Sequence, residues 1–481
     1  MDLSRLEEVI NLACGNSSQK MAATQMLDSL RAAPDRWTLG LKCFFESQND
    51  TAKLFGLSLI RDYLSTSPIR SADDQSIRRT IRETMMQWCS TAISSGGNIP
   101  HFVMNSVVTI LTLGIKFEYP GLWSTAFDEI LPLAETGPHG VDLVVRILSE
   151  LEVEVVIFTE TRSEEEKKSN TLIKDTMRGS AVISNIVSML CRHTVSMFHA
   201  GYSGLAVKCL RCLAELIGWI ELQLVVLEAL QTIYRALSIP EFTGAACGCL
   251  YEILKKGMDP VAKIKMVHSI DLITALLTVP SVLAGGALVN GAAAGDGAGG
   301  AGGGSNGGEG TGPPSPNGSG GFSASSHSGT EGQWAEEYGL VIDMLVLELL
   351  SCWGRYEDAL QDGAKGKADA ASLEAREAAP ICASLLHLAL PVLLQVFAHD
   401  DTNICATVLP ALNKLIQTLK GQLMMTPGLI DSAAGSFPGK YFLAAEHVPA
   451  LLRAVYKQMQ YDEDFGFDMA DDDDVAVIEV R

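Results

Sequence analysis

Apolar residues recur along this chain at helical spacing and almost nowhere at a spacing of two. After Asp400-Asp401, the positions Ile404, Val408, Leu412, Leu415 and Leu419 follow one another by three or four residues, which places them on one helix face. Leu57, Ile60 and Leu64 do the same after Asn49-Asp50. Start and stop signals frame such runs. The pattern predicts a helix from Asp2 to Cys14 ended by Gly15, and another capped by Ser17 or Ser18 and stopped by Pro34. It predicts a third from Asp35 to about Ser47, and a fourth opened by Asn49 or Asp50 and closed by Pro68. A side-chain oxygen satisfies the orphan N–H groups at each start, and Gly or Pro stands where the helix cannot continue. Val153–Phe158 is the one strand-like run; it follows directly on a helical pattern and reads as a helix end and loop.

The predicted helices come in pairs. Tyr202–Trp219 and Leu222–Ser238 form one pair, and Glu241–Lys256 and Val261–Thr278 form the next, starting about 39 residues later. That period is close to the roughly 40–47 residues of a HEAT or armadillo unit. A pair with apolar stripes on two sides cannot bury them alone and must stack on its neighbours. The expected fold class is therefore all-α, an α-solenoid of HEAT-like antiparallel helix pairs; a globular helical bundle is the alternative.

One segment breaks the periodicity. Residues 284–332 hold 19 of the 44 glycines, with only Asp296, Glu309 and Glu331 charged. Such a chain loses much entropy on ordering and offers little apolar surface in return, so it reads as a linker or loop. The expected organisation is 1–283 as N-terminal HEAT-like repeats, 284–332 as the Gly/Ser-rich linker, 333–460 as further HEAT-like helices and 461–481 as an acidic tail. The tail carries four consecutive aspartates, Asp471–Asp474.

Charge narrows the function classes. With 36 basic and 57 acidic residues the 481-residue chain has a formal net charge of −21, which excludes a general nucleic-acid coat but leaves room for local basic patches. The eleven cysteines fall mostly inside apolar periodic runs. Cys209 and Cys212 share a face with Leu205 and Leu216, and Cys249 sits in a stripe with Phe242, Leu250 and Ile253, so both groups read as core and not as a metal site. The chain opens on no secretory pattern, and its apolar stretches, such as Leu386–Ala398, look shorter than a membrane span, so an intracellular chain without membrane insertion is expected. Gly295, Gly297 and Gly300 match G-x-G-x-x-G formally, but more glycine flanks them where a strand and a helix are needed. No local catalytic motif appears, and no enzyme, small-molecule substrate, metal or cofactor is expected.

Two basic features stand out against the acidic background. Lys167, Asn170, Lys174 and Arg178 lie at i, i+3, i+7 and i+11 as one polar helix stripe, and Lys255, Lys256, Lys263 and Lys265 cluster around a single Asp259. Solvated surface is the plain reading of both; phosphate positioning is the functional one, since it needs only charge and reach. A third group, Arg78, Arg79 and Arg82 after Asp73-Asp74, reads as pairing within one helix.

Three stretches carry a family resemblance: Pro138-His139-Gly140-Val141-Asp142-Leu143-Val144-Val145-Arg146-Ile147-Leu148, Asn170–Arg178, and Lys256-Gly257-Met258-Asp259-Pro260-Val261-Ala262-Lys263. They resemble exportin-T, the tRNA-specific exportins of the karyopherin-β superfamily, most closely over about residues 20–270 and again at Tyr461–Phe465. The resemblance implies a HEAT-repeat superhelix that binds tRNA together with the small GTPase Ran in its GTP form. Such a receptor carries the RNA through the nuclear pore, engages pore proteins, shuttles between nucleus and cytoplasm, and leaves GTP to Ran. Ran would sit on the N-terminal repeats, and basic residues such as Lys167, Lys174, Arg178, Lys255, Lys256, Lys263 and Lys265 would hold RNA or Ran. Family members are far longer, so the chain is expected to correspond to their N-terminal part. The alternative is a HEAT scaffold or karyopherin carrying protein cargo without RNA.

Overall fold

The computed structural model describes residues 2–15, 19–66, 71–95, 99–157, 159–279, 328–364, 370–424 and 443–460. The expected acidic tail, and the expected linker as far as residue 327, lie outside the described residues. Among the described residues every regular element is a helix. In chain order they are α1 (Leu3–Cys14), α2 (Lys20–Ala32), α3 (Arg36–Glu46), α4 (Asp50–Thr66), α5 (Ala72–Ser94), α6 (His101–Glu118), α7 (Ala126–Ile130), α8 (Pro138–Leu151), α9 (Glu164–Arg178), α10 (Val182–His199) and α11 (Ser203–Ile217). There follow α12 (Leu222–Glu228), α13 (Leu230–Leu237), α14 (Pro240–Lys255), α15 (Pro260–Ser269) and α16 (Leu272–Leu277), then α17 (Ser328–Ala364), α18 (Ala370–Phe397), α19 (Thr402–Ala406), α20 (Leu409–Met424) and α21 (Leu443–Gln458). A 3-10 turn, Leu131–Thr136, precedes α8, and a π-helical turn, Glu152–Val156, follows it.

The chain divides into two units, Met1–Thr278 and Val279–Arg481. In the first, α4, α6, α8, α11 and α14 pack each on the next, forming one continuous layer. A second layer lies against it: α3 on α4, α5 on α6, α10 on α11 and α13 on α14. Repeats that contact only their neighbours are the definition of a solenoid, and the layer explains why the stripes recur with the repeat. Val141, Val144, Leu143 and Ile147 of α8 are fully buried, as are Cys209, Leu210, Leu213 and Ile217 of α11 and Cys247, Cys249, Leu250 and Ile253 of α14. Each such aliphatic side chain contributes roughly 1.5–3 kcal/mol. The cysteines are therefore core residues, and burial pushes the Cys209 thiol up to about 12.

Close approach is written into particular glycines. Gly140 of α8 lies so near the preceding 3-10 turn that a Cβ would overlap the Leu133 carbonyl. Gly40 and Gly56 face each other where α3 crosses α4, and a Cβ on Gly40 would stand 2.7 Å from the Gly56 carbonyl oxygen.

The second unit is built on α17, which packs against α18 and α20, while α21 packs on α18 and α20. Helix α17 starts at Ser328, so residues 328–332 are helical and not part of a linker. Asp343 reaches out of α17 to accept from the Ala411 N–H at 2.8 Å, capping α20 across the interface. The stripe Ile404–Leu419, expected as one helix, is two. Pro410 cannot donate to the residue four before it, so α19 ends and α20 begins afresh under the Asp343 cap. The apolar run in α18 is also longer than expected. Pro380–Phe397 carries no charge over eighteen residues, and α18 is long and apolar enough to cross a membrane by length and composition. Its Cys382, Leu386, Leu390 and Leu393 are fully buried inside the unit, as in a core helix.

Candidate partner-binding surface

Three successive inter-helix turns of the first unit enclose an open groove of about 510 Å³, lined by Glu152 and Val156, by Gly218 and Trp219, and by Glu252, Lys255, Lys256 and Gly257. These are the turns after α8, α11 and α14. Trp219 is the centrepiece. Its indole N–H donates to Glu152 Oε2 at 2.8 Å, and the Arg178 guanidinium lies over its ring at 5.2 Å. Arg178 also donates to the Trp219 carbonyl at 2.8 Å, while Lys256 Nζ donates to the adjacent Ile220 carbonyl at 2.7 Å. Two cations thus serve consecutive carbonyls beyond the C-terminus of α11, where the helix dipole is negative.

The structure brings four of the seven expected basic residues to this place, drawing on both clusters that the sequence presents separately. Lys174 interacts with Glu152, Arg178 clamps the Trp219 loop, and Lys255 and Lys256 line the groove. Lys255 pairs with Glu252 at 3.1 Å, and Lys167 pairs with Glu164 at 2.7 Å on the surface of α9. Lys265 is exposed on α15.

Lys263 is a correction. It is only 3% exposed, and its ammonium donates to the Leu254 carbonyl at 2.9 Å, so it secures the end of α14 and is out of reach of any partner. Asn170, expected in a solvated stripe, is buried and donates to the Glu154 carbonyl at 3.3 Å, tying α9 to the π-helical turn. The arginines of α5 divide. Arg79 pairs within its helix with Glu83 at 2.7 Å, whereas Arg82 pairs with Glu118 of α6 and Arg78 donates to the Leu64 carbonyl at 2.8 Å.

Sequence reasoning missed the acidic side of the groove. Burial foremost, with Glu215 and Glu252 nearby, pushes the Glu152 carboxyl up to about 7, against the opposing effects of the Trp219 hydrogen bond and Lys174. Burial, and secondarily Arg178, lowers the Lys256 ammonium from its ordinary value. The missed signal is the set of Glu152, Glu215 and Glu252, which belong to three separate helix ends and share no local spacing. Behind the groove, Lys116 of α6 bridges Glu154 at 2.8 Å and Glu166 at 2.7 Å, pinning the π-helical turn to α9. Among the described residues no three His, Cys, Asp or Glu side chains come together as a metal site.

The family model "Exportin 1-like protein" matches residues 100–250, the stretch from α6 through most of α14. With its layered helix pairs, the chain is similar over residues 100–250 to exportin-like proteins. Within that class its resemblance is to exportin-T. Exportin-T of Danio rerio is 23% identical over 467 residues, covering 96% of this chain and 40% of the relative, and exportin-T of Mus musculus is 24% identical over 475 residues, covering 97% and 41%. Exportin-T of Homo sapiens is 27% identical over 258 residues, 53% of this chain and 26% of the relative. The chain thus spans about 40% of the length of the relatives that it matches end to end.

Proposed function

We propose that the chain acts in nuclear export, binding tRNA cooperatively with GTP-bound Ran and passing through the nuclear pore between nucleus and cytoplasm. The observation that carries this reading is the exportin-T resemblance over nearly the whole chain. A solenoid supports it by offering an extended surface to two large partners at once. RNA duplexes are recognised by shape and backbone contact, and a net charge of −21 leaves such contact to a few outward cations. Lys255, Lys265, Lys167 and Lys174 take that role; Lys256 and Arg178 hold the loop that carries Trp219. No chemistry is assigned to the chain, and GTP belongs to Ran.

Cooperative loading requires that each partner raise the other's affinity by the same factor. The test is a pull-down with GTP-locked and with GDP-bound Ran, each with and without tRNA. The reading expects retention of the GTP form, strengthened by tRNA. Equal retention of both nucleotide states contradicts it. In the same assay Lys255→Gln and Lys265→Gln each lower the salt slope of tRNA binding by about 1; an unchanged slope removes them from the interface. A scaffold for protein cargo is the second reading, and the net charge of −21 favours a basic partner for it.

A further inference from the structure

Helix α21 is fastened to α18 at two places. Near its C-terminal end Lys457 donates to the Ala398 carbonyl at 2.6 Å and to Asp400 at 3.2 Å, and Gln458 donates to the Phe397 and His399 carbonyls at 2.7 and 2.8 Å. Near its N-terminal end the fastening is a pair of imidazoles, with His387 Nδ1 of α18 standing 3.0 Å from His447 Nε2. His387 meets His447 and Phe397 meets Gln458, so the two helices run side by side in one direction. The ring centroids are 5.1 Å apart, nearly the nitrogen separation plus two ring radii, so the two nitrogens point at each other along one N–H···N line. His447 is buried and His387 half-buried. Such a bond holds one proton between the rings. A proton taken up by the donor ring at its far nitrogen leaves the bond in place as a charge-assisted one. A second sets imidazolium against imidazolium with N–H facing N–H, and attraction becomes repulsion. Just beyond the pair, Pro449 cannot donate to the Ala445 carbonyl, which loosens the first turns of α21 from the rest of the helix.

We propose that the His387–His447 pair is a proton-operated latch between successive helix pairs of the second unit: it holds the first turns of α21 on α18 while at most one ring is charged, and releases them when both are, with the Lys457–Gln458 end as the pivot. Imidazoles change charge between about pH 5 and 8, so the device works within that span. Other titratable groups on the packed elements have places of their own. Cys382 of α18 donates to the Leu349 carbonyl, Lys414 of α20 donates to Ser351, and Asp343 and Glu357 of α17 accept from the Ala411 N–H and from Trp353 and Gln422. On α21 itself Arg453 and Tyr456 are exposed, and Glu446 is the sequence neighbour of His447. Burial foremost pushes the Asp343 and Glu357 carboxyls above their ordinary values, so acid reaches them as well, and the test separates their share from that of the histidines.

The test is amide hydrogen exchange of the full chain, read by mass spectrometry at about pH 7.5 and about pH 5.0 on either side of the imidazole range and corrected for the intrinsic pH dependence of exchange. Protection of Val448–Arg453 is expected to fall about tenfold at the lower pH, the equivalent of one unit of proton affinity, while Ala454–Gln458 stays within about twofold. His447→Gln keeps a hydrogen-bonding amide against His387 and cannot be charged, so its pH-dependent loss at Val448–Arg453 should vanish. Glu446→Gln should keep that loss. Circular dichroism at the higher pH confirms that the variants fold, and His387→Gln serves in place of His447→Gln where the latter does not. Unchanged protection of the wild-type chain between the two pH values overturns the inference whatever the variants do. So does a loss spread evenly along α21, the same loss in a folded chain lacking either histidine, or its disappearance in Glu446→Gln.

Discussion

Lys263 and Lys265 are two residues apart and carry the same charge, yet the fold gives them opposite fates. The turn Gly257–Asp259 brings α15 back against α14, so Lys263 buries its stem and its ammonium reaches the Leu254 carbonyl, while Lys265 faces solvent. Lys263→Glu therefore buries a carboxylate against a carbonyl oxygen and should cost roughly 3–5 kcal/mol. Lys265→Glu should change stability by less than about 0.5 kcal/mol. Urea denaturation of the two variants checks the contrast, and comparable losses would place Lys263 at the surface. Glu152 makes a pH prediction. Its folded-state carboxyl titrates near 7, above the unfolded value of 4.5, so its stabilising contribution is present below about pH 4.5 and is lost as pH rises to about 7. Glu152→Gln keeps an acceptor for Trp219 without the charge. It should leave stability nearly unchanged at pH 4.5 and raise it by about 1–2 kcal/mol at pH 8, after discounting for the partial exposure of the group. Equal effects at both pH values would contradict the assignment.

At the scale of elements, most helices were legible because each must bury a stripe, and the stripe is written every three or four residues. Gly15 ends α1, and the Asn49 side chain accepts from the Thr51 N–H at 2.9 Å at the start of α4, where those residue types predicted an end and a beginning. The departures come from tertiary contacts that no local window contains. Pro380 and Pro391 lie inside α18, where packing against α17 and α21 holds the helix together across them. Asp343, 68 residues from Ala411, decides where α20 begins. The groove was legible by half: its lysines cluster in sequence, while its carboxylates meet only when three repeats stack. Gly140 belongs to one of the three family-like stretches and has a physical reason to be glycine. Gly140→Ala forces α8 away from the Leu133 carbonyl and should destabilise the first unit by about 2–4 kcal/mol. Thermal unfolding by circular dichroism reads this, and a loss under about 0.5 kcal/mol would mean that the 3-10 turn moves freely.

At the scale of the whole molecule, the first unit is a stack in which each layer helix touches the next, which gives it an extended surface. In the proposed role its outward lysines contact phosphate. The central claim is that partners are gripped in a nucleotide-dependent way. Its most direct measurement is the dissociation constant of the full chain for Ran loaded with a non-hydrolysable GTP analogue and for Ran loaded with GDP, each with and without saturating tRNA. The account predicts tighter binding of the GTP form and a further gain with tRNA that is matched reciprocally in tRNA affinity. Indistinguishable constants for the two nucleotide states would contradict it.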